Sequence, residues 1–154
     1  MAYDLHPAIL THLGLRAALK SYCVEFSKRE GIDVEFSAQK EPASATEEIA
    51  LCLYRVTQES LRNVARHSDA KSVTISLRKP GGVLHLSIRD SGKGFLVRPD
   101  WRGEGLGLLS MNERVRLVHG TFLVRSRVGH GTLIEVRVPI PSKSRRVQSA
   151  AEET

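Results

Sequence analysis

Apolar residues recur along this chain in two rhythms, and the switches between them define an order of elements. From about Ala8 to Glu30 the rhythm is helical, with Leu15, Ala18, Leu19, Tyr22 and Phe26 three or four residues apart. Pro7 suits a helix start, where its missing N–H is not needed, and Gly31 stands where helices commonly stop. Val34 and Phe36 then alternate with Asp33, Glu35 and Ser37, as in a half-buried strand. Ser44 and Glu47 have the spacing of a capping box. They precede a second helical pattern, about Thr46 to His67, with Ile49, Leu53, Val56 and Val64 as its apolar stripe. Asp69-Ala70 breaks that helix. Val73, Ile75 and Leu77 alternate with polar residues, Pro80-Gly81-Gly82 turns the chain, and Val83 to Arg89 returns as the second arm of a hairpin. A third helical pattern runs from about Leu108 to Val118 and stops at Gly120. Phe122 and Val124 open a further strand, Val128-Gly129-His130-Gly131 is a glycine turn, and Leu133 to Val138 is the last strand, closed by Pro139 and Pro141.

Helix, strand, helix, two strands, helix and two strands is not a regular βαβ alternation. It predicts an α+β two-layer sandwich, with helices on one face of a mixed, largely antiparallel sheet. The 154 residues suit one domain with a sizeable core. Residues 142–154 lack periodicity and are expected to be disordered.

Composition narrows the function. Hydrophobic content is 41%, ordinary for a soluble globule, and no apolar run approaches the roughly 20 residues of a membrane helix. The start, Met-Ala-Tyr-Asp-Leu-His-Pro, lacks the basic and apolar regions of a signal peptide. Cys23 and Cys52 form no CxxC and no metal set, and are expected as buried free thiols in a cytoplasmic setting. The net charge of +6 fits nucleic acid, an acidic partner, a phosphorylated ligand or simply a solvated basic surface. Aromatics make up only 5% and do not interleave with the basic residues, which argues against a single-strand nucleic-acid platform.

The candidate chemistry lies in the loops. Asp90-Ser91-Gly92-Lys93-Gly94-Phe95 directly follows the strand ending at Arg89. A carboxylate there can accept a hydrogen bond from an exocyclic amine, and glycines that lack a Cβ let a flat ligand approach. Gly103-Glu104-Gly105-Leu106-Gly107 opens the third helix, where free N–H groups suit an anion. The polar stretch between the two clusters, Leu96 to Glu104, is a candidate lid. On the second helix Glu59, Asn63 and Arg66 are spaced to project from one face. Each feature also has a plain reading. Asp90 can cap a turn, Glu59 and Asn63 can be an exposed helix face, Arg66 can pair with Glu59 or Asp69, and His85 and His119 read as structural.

Taken together, Glu59-x-x-x-Asn63, Asp90-x-Gly92-x-Gly94, Gly103-x-Gly105-Leu106-Gly107 and Gly129-x-Gly131-Thr132 resemble the four ATP-site boxes of the histidine-kinase/gyrase/chaperone/mismatch-repair ATPase superfamily. The segments Gln58 to Ser68 and Gly105 to Val115 look most like the ATP-binding catalytic domain of bacterial sensor histidine kinases. Leu5-His6-Pro7-Ala8-Ile9-Leu10 is similar to the junction after the phosphoacceptor helices in the nitrate-sensor-like subfamily. The resemblance spans roughly Leu5 to Pro141. It implies a Bergerat ATP-binding fold over residues 8–141, preceded by a residual junction at 1–7. It further implies that Asp90 reads the adenine amine, that Gly92 and Gly94 let the base approach, and that Asn63 holds Mg²⁺ on the phosphates. Glu59 would orient or deprotonate through water near that metal. Arg66 and His67 would lie near the phosphates, Gly103, Gly105 and Gly107 would form the lid hinge and phosphate-facing backbone with Leu106 also binding the nucleotide, and Thr132 would close the base side.

None of the six histidines has the setting of an acceptor on a dimerising helix. The resemblance therefore implies that the acceptor lies outside this chain, on the dimerisation and phosphoacceptor helices of a parent kinase that serves a response regulator. An isolated domain of this kind is expected to be a monomer with no direct nucleic-acid partner. Two alternatives use the same fold: a stand-alone serine kinase of the anti-sigma-factor type, and a non-catalytic interaction module.

Overall fold

The computed structural model describes residues 7–39, 45–97 and 107–140. Helices α1 (Ala8–Glu30), α2 (Glu47–Asn63) and α3 (Leu108–Leu117) pack against a sheet of β1 (Asp33–Ala38), β2 (Ser72–Arg78), β3 (Val83–Asp90), β4 (Thr121–Ser126) and β5 (Thr132–Pro139). The strand order is β1-β2-β3-β5-β4. Only β1 and β2 are parallel, with α2 in the crossover between them; every other pair is antiparallel. This is the mixed two-layer sandwich that the hydrophobic rhythm predicts.

Three boundaries differ from the expected ones. Gly14 takes φ 85° and ψ 174° and interrupts α1 after its first turns, a break that helical spacing alone cannot reveal because the apolar stripe continues past it. The cap of α2 is Thr46, whose Oγ1 accepts the Ile49 N–H at 3.2 Å; the expected partner Ser44 lies outside the described residues. The second helix does not run evenly to His67. It is α-helical to Asn63 and then widens into one π turn, Val64–Ser68, ended by Asp69 in a left-handed conformation. The lid stretch from residue 98 onward, including Gly103, Gly105 and Leu106, and the tail 142–154 also lie outside the described residues.

The core fills the space between the layers. Leu15, Leu19 and Phe26 of α1, Leu53, Val56 and Leu61 of α2, and Met111 and Val115 of α3 are essentially inaccessible. Each contributes about 1.5–3 kcal/mol by leaving water. They meet cross-strand rows on the inner face of the sheet: Leu77, Leu86, Val136 and Phe122, then Ile75, Ile88, Ile134 and Val124. The next row is Val73, Asp90, Thr132 and Ser126. Here the apolar pattern gives way to polar side chains at one end of an otherwise greasy face, and that end holds the candidate site. The opposite face has no helix over it among the described residues and is polar, carrying Arg78, His85, Arg89, Arg125, Glu135 and Arg137. His85, expected to be structural, lies in the row between Arg78 and Arg137, with its Nε2 buried and without a hydrogen-bond partner among the described residues.

Both cysteines are buried free thiols. Burial pushes Cys23 up to about 12 and Cys52 up to about 11.

Candidate functional site

Asp90 is only 8% exposed, on the last residue of β3. Its carboxylate has little water around it, so the surrounding protein must supply its partners. The N–H of Gly92 donates to Asp90 Oδ1 at 2.8 Å, folding the loop back onto its own side chain. Burial raises the carboxyl above the ordinary carboxylate range, while the backbone N–H groups of Gly92 and Thr132 pull it down.

The loop that follows is pinned on two sides. Lys93 N–H donates to Ser68 O at the end of the π turn, and Gly129 N–H donates to Lys93 O, both at 2.7 Å. Ser126 knits the other edge: its Oγ accepts Phe95 N–H at 2.8 Å and lies 2.8 Å from Thr132 Oγ1 and 3.1 Å from Gly131 O. Glycine is required at two of these approaches. A Cβ on Gly94 (φ 64°) would drive into the carbonyl oxygen of Arg127, and one on Gly131 (φ 74°) into that of Asp90. Both residues are in the left-handed region, where a side chain is strained even without the collision.

These elements enclose a mostly apolar pocket. Ile88, Phe95, Leu108 and Ile134 give it its greasy walls, and Asp90, Asn63, His67 and Thr132 bring polar groups to it. On α2 and the π turn, Ser60, Asn63, Val64 and His67 stand at i, i+3, i+4 and i+7 and so form one stripe on the pocket. The free volume is about 40 Å³, against roughly 300 Å³ or more for a pocket that takes a drug-sized ligand. A ligand of that size therefore enters only as the pocket widens.

The predicted helix face is split by the fold. Asn63 and His67 line the pocket. Glu59 lies in the adjoining cleft between α2 and α3, where Arg62 Nη1 donates to its Oε2 at 2.7 Å. Arg66 lies in a third groove with Tyr22, Phe26 and Arg29, on the α1 side. The ion pair of Glu59 is thus with Arg62, a residue that the sequence reading did not single out. Gly107 (φ 66°), the N-cap of α3, sits directly over Glu59; a Cβ there would come 2.6 Å from Oε1. Gly92 lies beside Ser68 rather than on the pocket wall. Ser60, Ser68, Phe95 and Ser126 were missed because small or single apolar residues carry no motif. The i, i+3, i+4, i+7 spacing from Ser60 to His67 was the available signal.

Among the described residues no group of three or more His, Cys, Asp or Glu side chains is placed to hold a metal ion. Asn63 brings one amide oxygen to the pocket, a donor suited to a hard, largely hydrated cation. No helix among the described residues is long and apolar enough to cross a membrane.

Known proteins share this fold. The chain is 36% identical over 140 residues to the oxygen sensor histidine kinase NreB of Staphylococcus carnosus (strain TM300), a match that covers 91% of this chain and 40% of that protein. The chain thus spans about two-fifths of that relative's length. Among solved structures, the histidine kinase domain of the Erythrobacter litoralis EL346 blue-light activated histidine kinase superposes with a TM-score of 0.67 at 25% identity, covering 82% of this chain and 61% of that one. The Acinetobacter baumannii histidine kinase AdeS shares the fold, with a TM-score of 0.65 at 18% identity over 81% of this chain and 62% of that one. The family model for the histidine kinase-, DNA gyrase B-, and HSP90-like ATPases matches residues 48–142. That span takes in α2, the Asp90 loop, α3 and the final hairpin, and with the same fold on either side of the comparison the chain belongs to this ATPase family.

Proposed function

We propose that this chain is the ATP-binding catalytic domain of a sensor histidine kinase, supplying the γ-phosphoryl group to a histidine that lies outside it. The observation that carries this reading is the buried Asp90 carboxylate in an apolar pocket, held by the Gly92 N–H. A flat apolar base with an exocyclic amine matches such a pocket in both shape and hydrogen-bonding sense. Gly94 stands on that edge and Thr132 would close it beside Asp90, while Gly92 contributes through its N–H to the Asp90 carboxylate. Asn63 and His67 stand on the wall where the phosphates would emerge. Mg²⁺ fits Asn63 as a single-oxygen site completed by water and phosphate oxygens, and would supply charge neutralisation for phosphoryl transfer.

Glu59, braced by Arg62 beneath Gly107, would act where the glycine box meets α3, and the hinge role of Gly103, Gly105 and Leu106 rests on their sequence motif alone. Arg66 would reach the phosphates only by turning away from the α1 groove. The acceptor histidine would come from the dimerisation helices of the parent kinase, with a response regulator downstream and the domain in the cytoplasm as a monomer.

Calorimetric titration with a non-hydrolysable ATP analogue tests this, with and without Mg²⁺, on wild type and Asn63→Ala. Wild type is expected to bind more tightly with Mg²⁺, and Asn63→Ala to lose most of that metal dependence. No binding by wild type in either condition overturns the proposal.

A further inference from the structure

The open face of the sheet carries a second site, across the sheet from the nucleotide pocket. Arg89 of β3 stands opposite Leu133 of β5, and Leu133 stands opposite Arg125 of β4. Two guanidiniums thus flank one aliphatic side chain, with the strand positions about 10 Å apart across two ladder spacings. The hairpin after β4 adds Arg127 and His130 to the same place. Together with Ser126, Gly131 and Thr132 these residues line a cleft of about 260 Å³.

The charge in this cleft is unbalanced. Among the described residues, no carboxylate lies within ion-pair distance of Arg89, Arg125 or Arg127. The nearest acid on this face, Glu135, pairs with Arg137 instead, at 3.8 Å. Converging guanidiniums that repel one another and lack partners among the described residues favour an external anion.

Shape selects which anion. The apolar Leu133 between the two arginines suits a ligand whose carboxylates are set on an apolar body, and the cleft lies on a flat β surface next to an edge strand. An extended polypeptide places alternate side chains about 7 Å apart on one face, a spacing that flexible arginine stems can meet. Duplex nucleic acid fits less well, because Asp33 and Glu35 at the far edge and Glu135 at the centre interrupt the basic field. Among the described residues this face has no aromatic platform for single strands either, since Phe36 and Phe122 belong to the inner face.

We propose that the Arg89–Arg125–Arg127–His130 cleft is a docking site for an acidic, extended segment of a partner protein. The cleft shares Thr132 with the nucleotide pocket but opens on the other face of the sheet, and its binding does not depend on the ATP reading.

Fluorescence anisotropy with a labelled octapeptide of alternating Glu and Val tests it, beside the matching Gln and Val peptide. The proteins are wild type, Arg89→Gln/Arg125→Gln, and a control of equal charge change on α1, Arg16→Gln/Lys20→Gln. Wild type is expected to bind the Glu peptide at least ten times more tightly than the Gln peptide. The cleft double variant should lose at least tenfold and the α1 control less than twofold, with thermal melting showing both folded. Inorganic phosphate and a duplex DNA serve as competitors. The proposal is overturned by no preference for the Glu peptide, by equal losses in both variants, or by displacement of the peptide at lower concentrations of phosphate or DNA than of unlabelled Glu peptide.

Discussion

Asp90→Asn separates recognition from folding more sharply than any other change at the site. The wild-type carboxylate has about four acceptor positions on two oxygens. One is engaged by the N–H group of Gly92, at Oδ1, which leaves acceptor capacity for a ligand amine. Asparagine keeps one oxygen, and the Gly92 N–H already holds it. What remains to face the pocket is an NH₂ donor. A purine amine then loses a hydrogen bond to a charged acceptor, worth about 1.5–3 kcal/mol, so affinity for an ATP analogue should fall by about 10- to 150-fold.

The fold should barely notice. The substitution preserves shape and the Gly92 bond and removes a buried charge, so unfolding free energy at pH 7 should change by no more than about 1 kcal/mol. The pH dependence has a definite sign. Burial raises the folded Asp90 carboxyl above its ordinary value, so between the unfolded and folded values the native state holds more protons than the unfolded chain. Stability from this group is present at low pH and is lost as pH rises through that window. The difference in unfolding free energy, wild type minus Asp90→Asn, should therefore fall as pH rises from about 4 and then level off, because the other carboxylates are common to both proteins. Urea titrations at several pH values give that difference, and calorimetry gives the affinity. Undiminished binding by Asp90→Asn, or a difference that rises with pH, would refute the reasoning.

Other outcomes follow from the same geometry. Gly131→Ala places a Cβ against the Asp90 carbonyl at φ 74° and should cost about 2–5 kcal/mol, read as a fall in Tm of about 5–15 °C; an unchanged Tm would show that the hairpin can shift freely. Thr46→Ala removes the acceptor for Ile49 N–H and should cost about 1 kcal/mol in urea unfolding, with nucleotide affinity unaltered. Cys23 and Cys52, raised to about 12 and about 11 in a buried setting, should resist an aromatic disulfide reagent at pH 8 in the native state and react at once in denaturant; fast native labelling would mean that the helical layer opens readily.

The layering was legible because each rhythm answered to a real face: Leu84, Leu86 and Ile88 alternate because they line the inner side of the sheet, and Leu53 and Val56 recur because α2 lies on it. Asp90 was legible because a carboxylate right after such a strand, followed by two glycines, interrupts the pattern at a strand end. What stayed hidden depends on three-dimensional arrangement. Gly14 sits inside a run whose apolar spacing survives its break. The turn from Val64 to Ser68 widens by one residue without any helix-breaking residue type. Glu59, Asn63 and Arg66 share a face on a helical wheel, yet α3 and α1 take up neighbouring sectors and divide them among three clefts. The S-x-x-E spacing pointed to Ser44, whereas the hydroxyl that holds the first turn is that of Thr46, three residues before Ile49.

The pairing of Asp90 with Thr132 has a consequence for how the domain forms. The two residues are distant in the chain, and they meet only when β5 docks between β3 and β4. Contacts of such long separation impose a large loop-closure entropy and slow the folding of sheets that depend on them. The pocket wall is completed by that closure, so a chain that has formed only its helices and the β2–β3 hairpin has nothing with which to hold a ligand. A molecule bound beside Asp90 therefore draws on the fully closed state alone. At one hundred times its dissociation constant it deepens that state by about 2.7 kcal/mol, which makes occupancy a brake on unfolding of the whole sheet rather than of one loop.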